Sequence, residues 1–151
     1  MSSSADVAMM ERALAEARVC LASDDVPVGA VVARDGHVLA AAGNRRERDH
    51  DPTAHAEIVA LREAARVIGS WRLDGCSLYV TLEPCAMCCG AIVLARIDRV
   101  VFGTEDPKAG FAVSLGNLLQ DDRLNHRVGF TQGVLAEECG EPLREFFRAR
   151  R

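Results

Sequence analysis

Apolar residues recur at three- and four-residue steps along the first stretch of the chain, at Val7, Met10, Leu14, Ala17 and Leu21. That spacing predicts a helix from about 6 to 22 with one buried face. Ser3 and Asp6 form a capping box at its start. Val28 to Ala33 is a short apolar run that reads as a strand, and Asp35-Gly36 supplies the positive backbone angles of a tight hairpin turn. Val38 to Ala42 then returns antiparallel. A polar, arginine-rich loop fills Arg45 to Asp51, and Pro52-Thr53 opens a second helix. Its buried stripe is Ile58, Leu61, Ala65 and Ile68, and Gly69 ends it.

Cys76 to Leu82 reads as a third strand halted by Glu83-Pro84, and Cys85 to Ala95 as a third helix beginning just after proline. Arg99 to Gly103 is a fourth strand. The stretch from Thr104 to Arg127 is long and irregular, with a short helix expected around Leu115 to Leu119; such a length within a compact domain is usually functional. A weaker strand near Val128 to Thr131 precedes a last helix, about Ala136 to Ala149, carrying Leu143, Phe146 and Phe147. This order suggests an α/β layered sheet with helices on both faces.

At 151 residues and 49% hydrophobic, the chain suits one domain spanning 1–151. No apolar run approaches membrane-spanning length, and Met1 to Asp6 lacks the basic and apolar parts of a signal peptide. The expectation is a cytoplasmic protein with no membrane partner. Cysteine counts then change meaning, because clustered thiols in a reduced compartment more often serve a metal than a disulfide. Three of the six crowd into Cys85, Cys88 and Cys89, whereas Cys20, Cys76 and Cys139 stand singly in apolar contexts and read as core. The net charge of -4 argues against a polyanion binder overall. Local basic clusters remain at Arg45, Arg46 and Arg48 and at Arg144, Arg148, Arg150 and Arg151.

The chemistry is carried by His55, Glu57, Cys85 and Cys88. One imidazole and two thiols are enough to hold a zinc ion with three ligands and leave a fourth position for water. Residues two apart on a helix point to different sides, so His55 and Glu57 converge only on a group beyond the helix end. Any metal therefore belongs at that N-terminus. Thiolates in the first turn of the third helix face unsatisfied N–H groups and the positive end of the dipole, which favours ligation. Cys89 lies four residues after Cys85 on nearly the same face, so a closed, purely structural site with Cys89 as fourth ligand is the alternative. A redox C-x-x-C gives His55 and Glu57 no role.

The H-A-E at a helix start, joined to Pro84-Cys85-Ala86-Met87-Cys88 after a strand, resembles the zinc-dependent nucleoside and base deaminases. The resemblance implies that His55, Cys85 and Cys88 bind one zinc per subunit. It also implies that Glu57 takes a proton from water, passes it to a ring nitrogen of the base and later to the departing amine. Longer segments extend the likeness: Val26-Pro27-Val28-Gly29-Ala30, Asn44 to Glu57, Leu78 to Cys85, Arg99 to Gly103, Asn125-His126-Arg127-Val128, and the ending with Glu138-Cys139 and Phe146-Phe147-Arg148. In that shared order they are similar to the bacterial tRNA-specific adenosine deaminases.

That likeness implies a three-layer α/β/α cytidine-deaminase-like fold with a five-stranded mixed central sheet. The implied reaction is hydrolysis of the wobble adenosine of an arginine tRNA to inosine, by a homodimer that grips the tRNA anticodon arm. Asn44 then holds the flipped nucleoside, Val28 forms the apolar wall, Asp106 belongs to the loop that contacts the neighbouring nucleotide, and Phe147 lies near the RNA. Cys89, Phe111 and Val113 depart from the smaller residues usual at their positions in that family. The rival readings are a deaminase of free cytosine, guanine or a nucleotide, and a non-catalytic zinc module that binds RNA or protein.

Overall fold

The computed structural model describes residues 3–150; Met1, Ser2 and the terminal Arg151 of the basic cluster lie outside the described residues. The elements in order are α1 (Ser4–Val19), β1 (Gly29–Arg34), β2 (His37–Gly43), α2 (Arg46–Asp49), α3 (Ala56–Ile68), β3 (Ser77–Leu82), α4 (Ala86–Leu94), β4 (Arg99–Thr104), β5 (Gly129–Thr131) and α5 (Ala136–Arg148). They form a five-stranded mixed sheet ordered β2-β1-β3-β4-β5. β1 runs antiparallel to β2 and β3, while β3, β4 and β5 are mutually parallel.

Strand side chains alternate between two faces, and the core divides accordingly. Ala30, Val32, Leu78, Val80, Val100 and Phe102 pack with Ala60, Leu61 and Ala64 of α3 and Ile92 of α4. Val31, Ala33, Tyr79 and Val101 point the other way, onto Met10, Ala13 and Leu14 of α1 and Cys139 of α5. The result is helices on both faces, as the element order predicts. At Gly29 the layers nearly touch, since a Cβ there would lie 1.9 Å from the Ala13 carbonyl oxygen. Only glycine lets α1 come so close.

This connectivity brings the end of β2, the start of β1 and the ends of β3 and β4 to one edge of the sheet. The functional loops therefore share that edge.

Several local expectations hold in detail. The Ser3 hydroxyl accepts from the Asp6 N–H at 3.1 Å and the Asp6 carboxylate accepts from the Ser3 N–H at 3.3 Å, completing the capping box. Asp35 and Gly36 take φ of 53° and 78°, as the hairpin turn requires. Gly69 closes α3 in the left-handed region at 79°.

Others are corrected. α3 starts at Ala56 rather than Pro52-Thr53, because Asp51 accepts from the Thr53 N–H and hydroxyl, both at 2.8 Å, and makes a separate turn of 51–54. Its fully buried residues are Ala56, Glu57, Val59, Ala60, Leu61 and Ala64, leaving Ile58, Ala65 and Ile68 half-buried. Leu21 is exposed, since α1 gives way to a 3₁₀ turn at Cys20–Ser23 that breaks the periodicity. The expected loop at 45–51 contains the short helix α2, and the expected helix at 115–119 is a 3₁₀ turn at Leu118–Gln120.

α1 is tied to the sheet through Asp6, which is buried and accepts from Arg99 Nη1 and Nη2 at 3.0 and 2.8 Å and from the Tyr79 hydroxyl at 3.2 Å. The Arg99 hydrogen bonds hold the Asp6 carboxyl below its ordinary 3.8 against the opposing effect of burial. Asp6→Asn should lower stability by about 2–3 kcal/mol at neutral pH, because it leaves the partly buried Arg99 without its charge partner. A lowered carboxyl contributes fully above its unfolded value and loses that contribution as pH falls through the folded one. Denaturant titrations of parent and variant should therefore converge in acid below pH 3.8.

Candidate active site

Two helix starts face one another at the functional edge. His55 (φ −65°, ψ 153°) is the N-cap of α3, and Cys85 (φ −76°, ψ 177°) is the N-cap of α4. Both are extended, and neither side chain bonds its own helix backbone. Each therefore projects beyond its helix end. His55 Nδ1 lies 3.6 Å from Cys85 Sγ and 3.5 Å from Cys88 Sγ, the latter reached from one turn into α4. The three donor atoms lie within 4.8 Å of one another and make a candidate metal triad.

Ionisation within the triad is shared. The hydrogen bond from Cys88 and the neighbouring His55 ring push the Cys85 thiol well below its ordinary value, against burial. The Cys88 thiol is driven up by its bond to Cys85 and by burial. His55 is raised chiefly by its hydrogen bond with Cys85.

Glu57 enters the same place from the first turn of α3 and is 4% exposed. Burial pushes its carboxyl up to about 7, against the smaller lowering effects of its own backbone N–H and the neighbouring His55 ring. A group poised there can both accept and donate a proton near neutrality.

These residues open into a cavity of about 720 Å³, large enough for a nucleoside. Val26, Val28, Leu82 and Leu143 give it apolar walls, and Asn44, Asp106 and Phe147 also line it. The eight expected site residues thus converge: seven line the cavity and Cys88 lies buried beneath it. Phe147 is half exposed while Phe146 is buried, their rings meeting edge to face at 5.3 Å. Asn44 is buried, donating from Nδ2 to the Val26 carbonyl at 3.3 Å and accepting the Arg46 N–H at 3.2 Å. It thereby joins the end of β2 to the apolar wall.

Cys89 is fully buried in the core, its thiol 3.5 Å from the Pro84 carbonyl and outside the triad. Phe111 packs against the core and over Gly116, and Val113 is partly exposed; neither lines the cavity. His37 begins β2, His50 ends α2, and His126 bonds the Ile97 carbonyl at 2.7 Å, so none joins the site. Cys20, Cys76 and Cys139 are buried singly, as expected.

Two positioning carboxylates escape a reading of the sequence. Asp25 is fully buried and accepts the Glu47 and Arg48 N–H groups at 2.6 and 3.2 Å, capping α2 and setting Arg46 at the cavity mouth. Glu83 is buried under the loop after β4. The only hint of either in the sequence is an acid next to an apolar run.

With this geometry in place, the likeness to known proteins is specific. The family model of MafB19-like deaminases matches residues 4–151. The chain belongs to this deaminase family. Within it, the chain is 48% identical over 143 residues to the tRNA-specific adenosine deaminase of Bacillus subtilis (strain 168), covering 95% of this chain and 89% of that protein. A solved structure from work on A-to-I editing by tRNA:A34 deaminases at the wobble position of transfer RNA superposes with a TM-score of 0.87 at 44% identity, over 90% of this chain and 99% of that one. A guanine deaminase from Nitrosomonas europaea superposes with a TM-score of 0.81 at 25% identity, over 97% and 85% of the two chains.

The placement of the thiols predicts how metal content responds to mutation. Cys89→Ala should retain one metal per chain by elemental analysis, whereas Cys88→Ala should lose it. Loss of metal in Cys89→Ala contradicts the three-ligand site.

Proposed function

We propose that this protein is a zinc-dependent tRNA adenosine deaminase that hydrolyses the wobble adenosine of an arginine tRNA anticodon to inosine, with release of ammonia. The observation that carries this reading is the convergence of His55, Cys85 and Cys88 with the buried Glu57 at the base of a nucleoside-sized cavity. Tetrahedral zinc with ordinary bonds to nitrogen and sulfur sets those atoms about 3.6 Å apart. The separations of 3.5 and 3.6 Å between His55 Nδ1 and the two sulfurs fit it.

Zinc, when bound, supplies a water acidic enough to attack as a nucleophile at neutral pH. Glu57 would take one proton from that water and deliver it to ring nitrogen N1 of the adenine as C6 is attacked, and would then take the remaining proton of the hydroxyl added at C6 and pass it to the amine, which leaves as ammonia while the C6 carbonyl of inosine forms. Val28 and the other apolar walls exclude bulk water around the base, and Asn44 orients the extruded nucleoside. Asp106 and Phe147 meet the adjoining nucleotides. An anticodon loop suits such a cavity because its bases leave the stack at little cost.

The cavity mouth favours RNA over a free base. Arg46 and Lys108 line it and are exposed, beside Arg150, whose guanidinium pairs with Asp24 and packs on Phe146; they put basic side chains at the mouth of a chain of net charge -4. Phosphates flanking the target fit those side chains. Residues 1–151 act in this reading as one catalytic domain of a cytoplasmic homodimer. Met87 and Leu94, seven residues apart on α4, leave an apolar stripe in solvent that a second copy can cover. Among the described residues no helix is long and apolar enough to cross a membrane.

Zinc-loaded protein incubated with an arginine-tRNA anticodon stem-loop bearing a wobble adenosine should produce inosine, read by reverse transcription. Glu57→Ala should keep zinc and fold but lose turnover by at least about a hundredfold. With two or three phosphates neutralised, KM for the stem-loop should rise about tenfold between roughly 50 and 200 mM salt. No inosine from the parent, together with salt-insensitive deamination of guanine or cytosine, contradicts the RNA reading. Full activity in Glu57→Ala contradicts the proton relay.

A further inference from the structure

Glu83 follows β3 directly and is 1% exposed. Its carboxylate accepts five hydrogen bonds, all from the loop after β4. Oε1 takes the Asp106 N–H at 3.0 Å and the Ser114 hydroxyl in a short bond. Oε2 takes the N–H groups of Ala112, Val113 and Ser114 at 3.1, 2.8 and 2.9 Å. A carboxylate offers about four lone-pair directions, so this one is saturated and its burial is compensated.

The loop lies so close that a Cβ on Gly110 would come within 2.3–2.6 Å of the carboxylate atoms. Backbone bonds clamp the same joint from either side: Glu83 N–H to the Thr104 carbonyl and Phe111 N–H to the Pro84 carbonyl, both at 2.9 Å.

The two oxygens hold different parts of the loop. Oε2 secures 112–114, which lie outside the cavity. Oε1 secures Asp106, which opens a turn by accepting the Lys108 and Ala109 N–H groups at 3.1 and 3.2 Å, and all three residues line the cavity. We propose that Glu83 is a positioning residue for substrate selection: through Oε1 it fixes the Asp106–Ala109 turn against the cavity, so that this turn discriminates the nucleotide next to the reacting one. The inference rests on the RNA reading above.

Glu83→Gln separates the two halves. Its amide oxygen belongs where three N–H groups converge, because an NH₂ there would oppose three donors. The NH₂ then meets the Asp106 N–H, donor against donor, while the Ser114 hydroxyl can turn to accept. The variant thus releases Asp106 and keeps 112–114. Amide exchange should rise about tenfold at Asp106, Lys108 and Ala109 but stay near parental at 112–114. KM for the stem-loop should rise about tenfold, with kcat changed less than about threefold and metal content unaltered. The kcat/KM ratio between stem-loops differing only at the nucleotide 5′ to the target should fall toward one.

Gly110→Ala, which displaces the loop while Glu83 stays intact, should erase the same preference. Parental preference in both variants overturns the inference. So does a joint loss of kcat, metal and thermal stability with the preference unchanged, the pattern of a merely structural group. A parent inert on every stem-loop overturns the RNA reading and the selection role with it; parental exchange at Asp106, Lys108 and Ala109 in Glu83→Gln overturns the anchor itself.

Discussion

The site depends on two helices beginning at the same point in space from opposite directions in the chain. At each start the N-cap residue is a potential metal ligand rather than a cap, His55 for α3 and Cys85 for α4. A helix that leaves its first N–H groups without a side-chain partner keeps its positive end exposed. Two such ends on one spot favour negative charge there, and at Cys85 the hydrogen bond from Cys88 and the neighbouring His55 ring hold the thiol below its ordinary value. The sheet makes the meeting possible by returning β3 beside β1, so that α3 and α4 both start from the edge where β1 begins.

Two glutamates in the same cavity show how surroundings assign roles. Both are buried, 4% exposed at position 57 and 1% at position 83. Glu57 has little to offset its desolvation, so its carboxyl rises to about 7 and is ready to exchange protons. At Glu83 burial pulls the same way, but the Ser114 hydroxyl and the N–H groups of Val113, Asp106 and Ser114 outweigh it and hold the carboxyl below its usual value. A fixed anion results. In the proposed reading one carboxylate serves the reaction and its neighbour shapes the wall, a division that follows from their different supply of hydrogen bonds.

What could be read from the sequence follows from how local each signal is. The capping box of Ser3 and Asp6, the Asp35-Gly36 turn and the Gly69 stop involve neighbours within four residues, and all are present. The grouping of His55, Cys85 and Cys88 was legible because that combination of residues is rare, even though His55 and Cys85 are thirty residues apart. Asp25 and Glu83 were not, because their partners lie 22–31 residues away in segments without periodicity. The start of α3 was misplaced for a related reason. Pro52 resembles a first helical residue, yet the side chain of Asp51 claims the Thr53 N–H and delays the helix to Ala56.

The central claim is an open metal site with one imidazole, two sulfurs and room for water. Zinc-edge X-ray absorption on the zinc-loaded protein tests it most directly, since sulfur and nitrogen or oxygen shells separate at about 2.3 and 2.0 Å. The account predicts two sulfurs and two lighter ligands, with one of the lighter pair replaced when an inhibitor occupies the cavity. A shell of three sulfurs and one nitrogen, unchanged by any cavity ligand, would place Cys89 on the metal and contradict it.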